Sequence, residues 1–170
     1  ATTRVANTIL EVLQGPCVQN QSYLTLQTDL LETMNRVMRQ KAPTRDVEIK
    51  LPDGTDTEGD ALESQEYELK TVIIDIFRGL LEGQPKKSAV YDRIISVLHF
   101  DVIAHLCYPV EIGGYEESQL EDDCDELSAL RVQCLVLLQT LCDYKPQLRE
   151  DLAIPSLVPA DVGSVEVVWN

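Results

Sequence analysis

Between residues 64 and 82 the apolar side chains recur in steps of three and four: Leu69, Val72, Ile73, Ile76, Phe77, Leu80 and Leu81. At 3.6 residues per turn this spacing gathers them on one face of a helix, whereas a strand would need alternation. Gly83 marks the natural end of that helix. A helix with so wide an apolar stripe must cover it with other apolar surfaces. The chain therefore has to supply more helices of the same kind, and the same periodicity recurs on both sides.

Upstream, Val5, Ile9, Leu10 and Leu13 predict a helix from about Thr3 to Gln14, ended by Gly15 and Pro16. A second is expected from about Gln21 to Gln40, with Tyr23, Leu24, Leu26, Leu30, Leu31, Met34, Val37 and Met38 at its apolar positions. Downstream, Ser88 suits the cap of a helix carrying Val90, Ile94, Ile95, Val97 and Leu98. Phe100 to Cys107 reads as a short helix stopped before Pro109. Asp123 and Glu126 form a capping-box-like entry to a helix with Leu127, Leu130, Cys134, Leu137, Leu138 and Leu141, running to about Tyr144. Pro146 opens a further short helix through about Ala153. Two segments alternate instead: Val47 to Leu51 and Val165 to Trp169 read as short strands.

The expected fold is all-α: six or seven helices in an armadillo-like superhelical scaffold of helix hairpins, with one C-terminal β-strand. A closed bundle is the rival arrangement. Residues 1–155 form the helical domain, and 156–170 a linker and the start of a β element that continues outside the fragment. Within the domain, 41–63 reads as a flexible acidic insertion and 110–124 as an acidic loop. The missing initiator Met and the strand that ends in mid-pattern at Asn170 suggest a piece of a longer protein.

The formal net charge of −15 argues against binding nucleic acid or anionic lipid, both of which need a basic surface. No run approaches the roughly 20 apolar residues of a membrane span. The five cysteines, Cys17, Cys107, Cys124, Cys134 and Cys142, are odd in number and include no C-x-x-C pair, so reduced and mostly buried thiols are expected. His99 and His105 stand six apart, which does not bring both to one helical face for a metal. No nucleophile elbow, phosphate-binding glycine loop or dinucleotide fingerprint occurs, and Cys17 has no local base. An enzyme is not expected. An EF-hand read from Asp56 would meet Glu58 and Asp60 but puts Ala61 where Gly is required and Tyr67 where Glu is required. The loops at 53–60 and 121–126 are left as solvated acidic segments, at most weak cation binders.

One stretch is more specific than all of this. It runs Leu10-Glu11-Val12-Leu13-Gln14-Gly15-Pro16-Cys17, then two further residues, then Asn20-Gln21. Physically it is a fixed break between helices, with Asn20 and Gln21 able to bond backbone groups that the break sets free. The string resembles the signature that opens the RIH-associated domain of intracellular calcium-release channels, the inositol trisphosphate and ryanodine receptors. Leu69 to Leu98, with the Leu80-Leu81-Glu82-Gly83 turn and Ile94-Ile95, is similar to the next helix pair of that domain. The acidic loop, the Leu-rich helix and the terminal Val165-Glu166-Val167-Val168 follow in the family's order, leaning to the inositol trisphosphate receptor branch.

The resemblance implies a cytosolic regulatory module of a homotetrameric channel in an endoplasmic-reticulum-type membrane, partnered by the other domains and subunits of that channel. It also implies calcium as a regulatory ligand. Glu11 matches a carboxylate of the composite activating site, and Gln14 a polar neighbour that supports it. The other ligands would lie outside this chain. Gly15, Pro16, Cys17, Asn20 and Gln21 match the structural part of the motif. The alternatives are a stand-alone armadillo-like adaptor for peptide partners and a small acidic calcium buffer.

Overall fold

A computed structural model describes residues 2–15, 17–40, 57–85, 87–107 and 125–152. Every regular element among them is helical: α1 (Thr2–Leu13), α2 (Val18–Leu26), α3 (Leu30–Arg39), α4 (Thr57–Leu81), α5 (Ala89–Val97), α6 (Phe100–Cys107), α7 (Asp125–Tyr144) and α8 (Gln147–Asp151). The all-α class stands. The expected strands at 47–51 and 165–169, the acidic loop at 110–124 and the cap residue Asp123 lie outside the described residues.

α4 is the axis of the fold. It packs against α1 and α7 most extensively, and also against α2, α3 and α5. Its Ile73, Ile74, Ile76, Phe77, Leu80 and Leu81 are all buried, so the apolar surface wraps beyond a single stripe. That is what a helix enclosed from several directions requires. Removing a side chain such as Phe77 or Leu80 from water is worth about 1.5–3 kcal/mol. α7 closes the core from the other side with Leu130, Cys134, Leu137, Leu138 and Leu141, all buried. α6 packs on α7, and α8 follows it through Leu148.

Three expectations need correction. Residues 57–63 are not part of an acidic loop, because α4 begins at Thr57. The segment lacks apolar periodicity and contains Gly59, which hid the helix.

The single helix expected over 21–40 is two. Thr28 Oγ1 donates to Leu24 O at 2.5 Å and accepts from Leu30 N at 3.3 Å, so one hydroxyl serves the end of α2 and the start of α3. Short polar side chains that bond their own backbone in this way compete with helix continuation.

The inward faces also differ from the apolar assignment. Val5, Tyr23 and Leu26 are exposed, while Ala6, Gln21 and Thr25 are buried; Leu13 is buried as expected. In α1 the inward line runs Ala6, Leu10, Leu13. In α2 the break at 27–29 frees the helix from the phase of α3, and polar positions turn inward.

Candidate functional site

The helix break that ends α1 is built as its residues require. Gly15 adopts φ 78°, a left-handed conformation that favours glycine. Gln14 N is shared between the carbonyls of Leu10 at 3.1 Å and Glu11 at 3.2 Å, closing the last turn. Cys17 is the half-buried N-cap residue of α2, and its side chain makes no capping bond. Gln21 N then donates to Cys17 O at 3.0 Å, the first regular bond of α2. Pro16 lies outside the described residues.

Gln21 is where this break joins the rest of the molecule. Its side chain is 1% exposed. Nε2 donates to Gly79 O at 2.8 Å and to Glu82 O at 2.9 Å, and Oε1 accepts from Gln84 Nε2 at 2.7 Å. α4 stops at Leu81, and Gly83 leaves the helix at φ 68°. The last carbonyls of a helix have no intrahelical donor, and a glutamine some 60 residues upstream supplies it. The chain of bonds continues: Ser88 Oγ donates to Gln84 Oε1 at 2.8 Å and accepts from Val90 N at 3.1 Å, capping α5 as expected. One polar line thus joins the start of α2, the end of α4 and the start of α5. Asn20, its neighbour in the motif, is exposed.

A groove of about 600 Å³ lies over α4 between α1 and α7. Leu10, Leu13 and Gln14 form its α1 wall, Val136 and Thr140 its α7 wall, and Arg78, Gly79 and Glu82 part of its floor. Arg78 is anchored there by Asp75 Oδ1 at 3.1 Å and by Gln133 Oε1 of α7. Glu11 is exposed on α1 and is not among the groove residues, so the three-residue spacing that puts Glu11 beside Gln14 does not bring both into one cavity. Among the described residues no group of three or more His, Cys, Asp or Glu side chains is placed to hold a metal. Calcium takes six to eight oxygens, so the described residues do not form a calcium cage around Glu11.

Sequence reasoning overlooked a second clamp. Asn35 of α3 is 3% exposed. Its Nδ2 donates to Val97 O at 3.0 Å, and its Oδ1 accepts from His99 N at 3.2 Å, which fixes the turn between α5 and α6. Arg39 then donates to His99 Nδ1 at 2.7 Å, a bond that requires the proton of the imidazole to sit on Nε2. Arg93 of α5 pairs with Glu32 of α3 alongside. The available signal was Asn35 itself, a polar residue on the stripe Leu31, Met34, Met38. No family model, curated protein or solved structure matches the chain.

Proposed function

We propose that this chain is a cytosolic regulatory module of a tetrameric intracellular calcium-release channel, with an armadillo-like helical scaffold, and that it couples ligand and calcium binding to the pore. The observation that carries the reading is the part played by Gln21. The Gln14-Gly15-Pro16-Cys17-x-x-Asn20-Gln21 string resembles the family's signature, and its last residue fastens the α1–α2 break to the ends of α4 and α5. A break fastened in this way moves with α4 as a rigid body, which suits an element that relays displacement between domains.

In this reading Glu11 contributes one carboxylate to a calcium site completed by other parts of the channel, and Gln14 supports it. Its exposure at the end of α1 leaves it open to such a partner. Calcium biases gating only to the extent that it binds the open arrangement better than the closed one. The test is the calcium-activation curve of the parent channel carrying Glu11→Gln. The midpoint is expected to move to higher calcium, and an unchanged curve refutes the role of Glu11.

The groove between α1 and α7, with the exposed Val136 on its wall, favours a second reading, an adaptor that binds peptide partners. A parent channel that gates normally when Gln21 is replaced, together with peptide capture by the isolated chain, would support the adaptor instead.

A further inference from the structure

On a chain with 29 acidic and 14 basic residues, an arginine without a carboxylate partner is conspicuous. Two such arginines meet at the end of α3. Arg36 and Arg39 are three residues apart, so they are neighbours on one helical face. Both are exposed, and both line a pocket of about 380 Å³ that α3 shares with the α5–α6 turn. Glu32 is the one carboxylate in the wall of that pocket. It stands one turn before Arg36, at a spacing that suits an ion pair, but Arg93 of α5 takes its Oε1. Its Oε2 is enclosed, with no hydrogen-bond partner among the described residues. Arg36 makes no hydrogen bond or ion pair among the described residues. Arg39 donates to His99 Nδ1 at 2.7 Å, an uncharged acceptor. Glu32 and Arg93 offset each other, and the charges of Arg36 and Arg39 remain uncompensated.

We propose that this pocket binds a phosphate dianion, either inorganic phosphate or the phosphoryl group of a small monoester. Two uncompensated guanidinium charges match the nearly two negative charges that such a group carries at neutral pH. The planar fork of each guanidinium can bond two of its oxygens at once. Other donors stand in the same wall. Because His99 accepts at Nδ1, its ring proton is on Nε2, and Gln40 brings a side-chain amide. The helix ends do not oppose an anion here. His99 immediately precedes α6, whose positive dipole end offsets the negative end of α3.

Part of the wall is also set in advance. Asn35, 3% exposed, holds Val97 O and His99 N, and His99 in turn holds Arg39. Binding therefore has less side-chain freedom to remove. The volume falls in the range of small-molecule sites and leaves room beside the phosphoryl group for the body of a small ester. The excess of acid elsewhere repels an extended polyanion, so the ligand is small. Glu11, Gln21 and the groove over α4 take no part, and the inference stands apart from the channel reading.

The test is calorimetric titration of the whole chain with inorganic phosphate, glycerol 1-phosphate and acetate as probes, at neutral pH and constant ionic strength. One-to-one binding of a phosphate probe is expected. It should weaken about tenfold or more in Arg36→Gln and in Arg39→Gln, the loss of a hydrogen bond between charged groups. It should be unchanged in Arg4→Gln, which alters an exposed arginine on α1. Arg36→Lys keeps the charge without the fork and should recover part of the affinity. Arg36→Gln removes no bond within the described fold, so its melting temperature should match the parent's, and lost binding cannot be put down to unfolding. Tighter binding of glycerol 1-phosphate assigns a monoester, and tighter binding of inorganic phosphate assigns the free ion; either supports the site. Absence of saturable binding by both phosphate probes overturns the proposal, and so does equal affinity for acetate. Affinity unchanged in both glutamine variants means an adventitious ion only, and overturns it as well.

Discussion

Gln21→Ala tests the central claim about the helix break. Gln21 makes three hydrogen bonds of 2.7 to 2.9 Å while only 1% exposed. At about 1 kcal/mol net for each bond, their loss costs about 3 kcal/mol. Unpaired carbonyls at Gly79 and Glu82 push the figure up, and water entering the vacated space brings it down. For a chain of this size that is a fall in melting temperature of about 6–12 °C. Gln21→Glu is the sharper variant. It keeps the shape but replaces the Nε2 donor with an oxygen facing two carbonyl oxygens, so it should be less stable than the alanine variant despite filling the same space. The assay is urea unfolding followed by circular dichroism, with the slope checked for constancy. If Gln21→Ala lies within about 0.5 kcal/mol of the parent, the size of a change at an inert surface position, the capping role is refuted. If Gln21→Glu is the more stable variant, the assigned direction of the two bonds to Gly79 and Glu82 is wrong.

Further outcomes concern other parts of the fold. Gly79→Ala and Gly15→Ala should move stability in opposite directions in thermal melts. A Cβ on Gly79 would sit 3.6 Å from Leu13 Cβ, ordinary contact, and alanine is favoured in a helix interior by about 1 kcal/mol. At Gly15, φ 78° makes the same change cost about 1 kcal/mol or more. Asn35→Ala removes both bonds to the α5–α6 turn and should lower the urea-derived stability by about 2 kcal/mol; a loss confined to a few tenths would refute the clamp. Alkaline pH should destabilise the protein. Cys142 and Tyr91 hold their protons above the ordinary values of 9.0 and 10.0 because they are partly buried, and Tyr144 does so through desolvation and then its bond to Asp92. Because the unfolded chain releases these protons first, their stabilisation is complete below the unfolded values and is lost as pH climbs through the folded ones. The urea midpoint should fall steadily above about pH 9, and a midpoint that stays flat to about pH 11 removes these groups from the account.

The helices around the core were legible because a covered face leaves a period in the sequence. Leu69 to Leu81, Val90 to Leu98 and Leu130 to Leu141 repeat at helical spacing, and all three stretches are helical and packed. The stop at Gly15 and the cap at Ser88 were legible for a related reason: each rests on backbone geometry or a hydroxyl acting within two or three residues. The first turns of α4 escaped notice because their sequence carries no apolar period, and the split between α2 and α3 because Tyr23 and Leu26, both exposed, extend the apparent stripe of Leu24, Leu30 and Leu31. The purpose of Gln21 was half legible. A polar residue after a helix break suggests capping, but the carbonyls it caps belong to α4, 58 and 61 residues away.

The sequence by itself determined that this chain is helical, where several of its helices stop, and which apolar residues must meet. Only the tertiary structure decided which polar side chains are enclosed with them. Gln21 and Asn35 are each satisfied by partners on other helices or turns, and Lys70 by Glu66 one turn away on α4. Periodicity records the face a helix buries. It does not record which carbonyl or carboxylate will stand opposite, because that is set by the crossing of helices distant in the chain.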